Sequence, residues 1–261
     1  LLVWLGLGNA LGLLPQEQWF GFFGIGIAVV LLTAGLMSST FHLGRPERAW
    51  RAFSQWRSSW LSREGVAAMA TYVPTGIMGI GWGLMGETGG IVAAAGVVGA
   101  MLAIVTMYTT GMIYASLPTI RAWNQPLTAP IYVVLGLASG SLVLTALLAL
   151  FGGVPVWAVW LSIIGLIASW AMKSLYWMAV AEDKKSYTVG AATGLGRFGA
   201  VRPLDPPHTR ANFVMREMGY QVGRRHAEKL RRLSVLLAFI IPAVLSVAML
   251  VTGPAVDAVL A

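Results

Sequence analysis

Long apolar runs separated by short polar punctuation dominate the chain from end to end. They cover residues 1–14, 19–41, 65–85, 91–117, 129–151, 154–181 and 233–252. A bilayer core takes about 20 apolar residues per helix, so the pattern predicts an all-α, polytopic transmembrane helix bundle with seven hydrophobic spans. The first run is short and reads as the remnant of a longer helix. Pro74 and Pro242 fall inside runs, where a membrane helix tolerates them because neighbouring helices re-satisfy the freed backbone groups. Small residues four apart, Gly79/Gly83 and Gly96/Ala100, predict close helix packing. We read residues 1–261 as a single integral membrane domain.

The polar segments between the runs alternate in character. Segments 42–64, 118–128 and 182–232 are long, whereas 15–18, 86–90 and 152–153 are short turns. All but one of the 18 Lys and Arg residues lie in the three longer segments, among them Arg45, Arg48, Arg51, Arg57, Arg63, Arg121, Arg224 and Arg225. The exception is Lys173. The short turns and the C-terminal tail hold only acidic charge, at Glu17, Glu87 and Asp257. By the positive-inside rule the three longer segments belong in the cytoplasm. Residues 182–232 thus form a long basic cytoplasmic loop, predicted to be extended over 187–207, where Gly and Pro abound, and helical over 210–232. That basic helix suits either anionic lipid headgroups or a soluble subunit docking on it.

Composition agrees with the pattern. Of 261 residues, 57% are hydrophobic and 11% charged, against about 25% charged in a soluble domain, and the mean hydropathy is +0.74. There is no cysteine, which removes disulfides, thiolate-held zinc, Cys-held iron–sulfur clusters and thiol nucleophiles from this chain. The opening run lacks a basic n-region and a small-residue cleavage site, so it does not read as a signal peptide, and a start upstream of Leu1 is expected.

Ion pumps and transporters leave ionisable groups deep in their helices. Here only Lys173 interrupts a span, in its last third, where snorkelling explains it. A membrane-embedded haem commonly needs a pair of facing histidines, but of His42, His208 and His226 the last two fall in the long loop. A di-haem cytochrome is excluded on this reading, and a single haem with Met or Lys as second ligand has no support.

Candidate chemistry concentrates at the cytoplasmic ends of the second and third spans, in His42-Leu43-Gly44-Arg45-Pro46-Glu47-Arg48-Ala49 and Ser59-Trp60-Leu61-Ser62-Arg63-Glu64. His42 ends one apolar helix and Glu64 begins the next. Each has a bland reading, as a polar terminator and as N-terminal capping chemistry. Together they also suit a quinone, whose two oxygens need hydrogen-bond partners able to exchange protons near neutral pH. Trp50, Trp60 and Tyr114 could stack on such a ring or simply form an interfacial aromatic belt.

The His-Leu-Gly-x-Pro-x-Arg-Ala motif, with Ser-x-Leu-Ser-x-Glu about a dozen residues on, resembles the membrane anchor subunit of DMSO reductase (DmsC type), within the wider NrfD-like anchors. Met215-Arg216-Glu217-Met218-Gly219-Tyr220 before the last span extends the resemblance over most of the chain. The resemblance implies an eight-helix anchor free of haem and metal, binding ubiquinone or menaquinone. It implies a four-cluster iron–sulfur subunit and a molybdopterin catalytic subunit as partners, in contact with membrane lipid and not with nucleic acid. The family's quinol-linked His and Glu match His42 and Glu64. We expect Arg45, Trp60, Ser62, Arg63 and Tyr114 to complete the quinone site, and Arg48, Arg51, Arg57, Arg121, Arg224 and Arg225 to dock the partners. Seven spans rather than eight are visible.

With the arginines facing the cytoplasm of a bacterial inner membrane, the partners should be cytoplasmic too. That placement is similar to the sulfite dehydrogenase anchor (SoeC type), which feeds electrons into the quinone pool. A menaquinol-oxidising anchor of a DMSO or other S/N-oxide reductase is the alternative within the family. From a different class, a purely structural tether would show no redox role, and a transporter would show midplane polar residues and broken helices in paired halves, neither of which stands out in this sequence.

Overall fold

A computed structural model describes residues 1–41, 45–182, 188–202, 204, 210, 216 and 221–260. Among them every regular element is helical, and the chain separates into two compact units, residues 1–180 with 242–261, and residues 181–241.

The first unit begins with α1 (Leu2–Ala10) and α2 (Gln18–Phe41). A ten-residue 3₁₀ helix (Pro46–Gln55) follows, started by Pro46, whose fixed φ suits a first helical position. Next come α3 (Trp60–Met78), α4 (Gly90–Ala115), α5 (Thr128–Leu150) and α6 (Val156–Glu182). Among the described residues, five helices can cross a membrane by length and composition: α2, α4, α5, α6 and the final stretch Ala227–Thr252.

The other two predicted runs differ in instructive ways. Residues 1–14 yield only the nine-residue α1, about 14 Å long at 1.5 Å per residue. The run 65–85 is helical but starts five residues earlier, at Trp60, because the side chain of Ser59 caps it by accepting from the Ser62 amide at 3.4 Å. At its far end α3 passes into a wider π turn, Gly79–Leu84. That turn delivers Trp82, fully buried, against Phe20 with ring centroids 5.7 Å apart. Gly21 permits the contact, since a Cβ there would stand 2.5 Å from the indole.

At the centre α4 packs against α1, α3 and α5. Its Gly96, one of the predicted small-residue pairs, lies on the backbone of Gly6 in α1. Hydroxyls join the other helices. Thr33 and Tyr72 hydrogen-bond at 2.8 Å between α2 and α3, and Thr145 meets Ser162 at 3.0 Å between α5 and α6. In a medium without water, such bonds satisfy groups that would otherwise be costly to bury.

In the second unit the stretch predicted as extended contains a short helix, α7 (Val189–Thr193), and a 3₁₀ turn, Leu195–Phe198. Thr188 caps α7 by accepting from the Ala191 amide at 3.1 Å, and Gly194 ends it at φ +69°. The predicted basic helix appears as α8 (Gln221–Arg225) and α9 (Ala227–Val235). A π turn, Leu236–Ile240, closes this unit, and α10 (Ile241–Leu260) belongs, from Pro242 on, to the first. Lys184, Lys185, His208 and all of the Met215–Tyr220 motif except Arg216 lie outside the described residues.

Candidate functional site

The ends of α2, α3 and α4 enclose a cavity of about 380 Å³. Glu64 projects into it from the second turn of α3, and Thr106, Thr110 and Tyr114 border it from successive turns of α4, their four-residue spacing putting them on one face. The α2 wall is apolar apart from Ser39. The Thr110 hydroxyl donates to Glu64 Oε1 at 2.8 Å, with the Thr106 carbonyl oxygen, also at 2.8 Å, as its other acceptor. One hydroxyl proton thus has two acceptors, so Glu64 can gain or lose a proton while Thr110 turns to its own helix.

A second cavity of about 190 Å³ shares Leu31, Leu32 and Thr106 with the first and continues to Ala28, Met107 and Leu137. The pair offers one polar end and one greasy extension. A larger cavity of about 520 Å³ lies on the other side of Tyr114, reaching Tyr132, Lys173 and Tyr176. Tyr114 stacks on Tyr132 with centroids 5.6 Å apart and an interplanar angle of 17°, and meets Trp123 edge-on at 5.1 Å.

The remaining expected site residues are placed elsewhere. His42, with Leu43 and Gly44, lies outside the described residues. Arg45 is the exposed residue before the 3₁₀ helix. The Ser62 hydroxyl, fully buried, donates to the Ala52 carbonyl and fastens the 3₁₀ helix to α3. Arg63 reaches back to the carbonyl oxygens of Trp56 at 3.0 Å and Arg57 at 2.7 Å, with its guanidinium 4.2 Å from the Trp60 ring centroid. Trp60 in turn meets Tyr108 edge-on at 6.4 Å. These four side chains build the shoulder that holds the start of α3, while Glu64 and Tyr114 border the cavity itself.

Of the expected docking residues, Arg48, Arg51 and Arg57 are exposed on or just after the 3₁₀ helix, and Arg224 and Arg225 on α8. Arg121 lies half-buried between α4 and α5. Sequence reasoning missed Thr110. The signal available was the four-residue spacing of Thr106, Thr110 and Tyr114, three hydroxyls on one face of a largely apolar helix. Among the described residues no group of three or more His, Asp or Glu side chains gathers as a metal site would require.

Residues 22–154 match the DMSO reductase anchor subunit (DmsC) family. The chain is also 34% identical, over 86% of its own length and 73% of the relative's, to the sulfite dehydrogenase C subunit of Allochromatium vinosum. The chain belongs to the DMSO reductase anchor subunit family. Within that family it is close to the sulfite dehydrogenase anchor type. It is a multi-pass membrane protein, as its apolar helices require. No solved structure matches it. The matched region 22–154 contains α2 from its fifth residue on, with α3 to α5, and every described side chain around the Glu64 cavity.

Proposed function

We propose that the chain is the quinone-exchanging membrane anchor of a molybdenum and iron–sulfur oxidoreductase, working in sulfite oxidation. The observation that carries this reading is the Glu64–Thr110 hydrogen bond inside a cavity between apolar helices. The residues fit a quinone. A carboxyl and a hydroxyl can face its polar ring, the Tyr114 ring can pack on it, and the adjoining apolar cavity suits an isoprenoid tail. His42, next in the sequence after the end of α2, is assigned the second ring oxygen.

A bound quinone supplies a couple of two electrons and two protons. The two electrons would come from partner molybdopterin and iron–sulfur subunits, where sulfite and water would be converted to sulfate with release of two protons. This chain's part is to bind, orient and exchange protons. Glu64 moves a proton at Oε1, and Thr110 holds the carboxyl toward the cavity. The likeness to a sulfite dehydrogenase anchor favours sulfite over an S- or N-oxide. The alternation of basic segments supports a cytoplasmic position for the long loops and their partners at a bacterial inner membrane.

The test is sulfite-to-ubiquinone electron transfer by the assembled complex, comparing wild type with Glu64→Gln and His42→Ala. Loss of turnover in assembled variants is expected. Full turnover in both would leave the chain a structural tether or move the quinone elsewhere. A wild type inactive with sulfite but active from menaquinol to an S-oxide would reverse the direction of flow.

A further inference from the structure

Lys173 stands in α6 beside aromatic side chains, its ammonium 4.9 Å from the Tyr176 ring centroid and 5.3 Å from that of Trp177. It is half-buried, and no carboxylate among the described residues pairs with it. Snorkelling alone would need only a path to water. Instead Lys173 borders the cavity of about 520 Å³ between α4, α5 and α6, together with Tyr114, Trp123, Thr128, Tyr132 and Tyr176.

We propose that this cavity binds the phosphate group of an anionic membrane phospholipid. A cation withdrawn from water is costly unless an anion meets it, and here the anion must come from outside the described residues. Basic pockets between membrane helices take lipid headgroups, and tyrosine and tryptophan prefer that depth because one end of each ring is apolar and the other wet. Of the local hydroxyls, Tyr176 is committed to the Ala122 carbonyl at 2.5 Å and Thr128 to the Trp123 carbonyl at 2.7 Å. Tyr132 and Tyr114, stacked and hydrogen-bonded to each other through their side chains, form a phenol pair whose remaining hydrogen can assist the ammonium. Ile131 and Leu135 continue the wall along α5, an apolar track for an acyl chain that a free phosphate ion does not need. The proposal is independent of whether the Glu64 cavity holds a quinone.

Native mass spectrometry of the purified protein, taken from nanodiscs of phosphatidylcholine and phosphatidylglycerol into non-ionic detergent, tests it. Wild type and Lys173→Arg should retain phosphatidylglycerol selectively, and Lys173→Met should hold it about fivefold more weakly. Tyr132→Phe, which keeps the ring, should fall between. Equal retention by wild type and Lys173→Met overturns the proposal. So does equal retention of the two lipids by wild type, a result that stands even where Lys173→Met fails to fold. Inorganic phosphate that displaces the lipid would overturn the lipid as source, whereas retention in its presence supports it.

Discussion

The carboxylate of Glu64 and the hydroxyl of Thr110 meet at 2.8 Å although 46 positions separate them in the chain. The bond ties the start of α3 to the end of α4 and fixes a carboxyl in a cavity whose α2 wall is mostly apolar. Thr110→Val keeps the shape and removes the donor. Hydrogen bonds to charged groups contribute about 1.5–3 kcal/mol, so quinone-linked kcat/KM of the assembled complex should fall about tenfold or more. Assembly should be unaffected. A variant with wild-type kcat/KM would show that Glu64 needs no orienting partner.

Tyr114 is the wall common to the Glu64 cavity and the Lys173 cavity. Its stack on Tyr132 and its edge contact with Trp123 are each of a kind that contributes about 0.5–1.5 kcal/mol. Tyr114→Phe preserves both contacts and should leave the KM for quinone near its original value. Tyr114→Leu removes the partition and should raise that KM severalfold. Equal impairment in the two variants would assign the role to the phenol oxygen instead of the ring.

The apolar runs announce α2, α4, α5 and α6 because each is long, unbroken and bounded by turn residues. The start of α3 is less legible. Arg63 looks like a loop residue, and Glu64 like the first of its helix, until Ser59 is seen to cap a helix that includes both. Arg63 itself was expected at the pocket, yet it binds the carbonyls of Trp56 and Arg57, a contact that exists only once the 3₁₀ helix folds back on α3. Glu64 could be singled out from sequence as a carboxylate beside an apolar run. Its partner could not, because pairing α3 with α4 is a tertiary fact.

Gly96 gives a stability test free of any functional reading. A Cβ on Gly96 would stand 3.0 Å from the Gly6 carbonyl oxygen and 3.1 Å from the Gly6 Cα, both backbone atoms that cannot rotate away. Gly26, on α2, faces open space. Alanine favours helix over glycine by about 1 kcal/mol, so Gly26→Ala should leave the thermal midpoint in detergent unchanged or raise it. Gly96→Ala should lower it, since overpacking costs about 1–3 kcal/mol. A midpoint that rises in both variants would mean that α1 is not seated on α4 in solution.

The exposed arginine side chains on and just after the 3₁₀ helix do little for the fold. Arg48 lies 4.0 Å from Glu47 with both side chains solvated, and Arg51 and Arg57 each sit 5.5 Å from the ring of the preceding tryptophan. Exposed ion pairs contribute about 0–1 kcal/mol, and exposed cation–π contacts about 0.5–1 kcal/mol. Reversing the three charges together, Arg48→Glu with Arg51→Glu and Arg57→Glu, should therefore spare insertion and thermal stability. If these residues dock a partner, association with the iron–sulfur subunit should weaken about tenfold or more at low salt, and the difference should shrink as salt screens it. Arg63→Lys is the contrasting variant. A lysine cannot hold two carbonyls with one planar group, so it should loosen the 3₁₀ helix toward proteolysis while leaving association nearly intact. Unchanged association in the triple variant, at any salt, would exclude this helix as the docking surface.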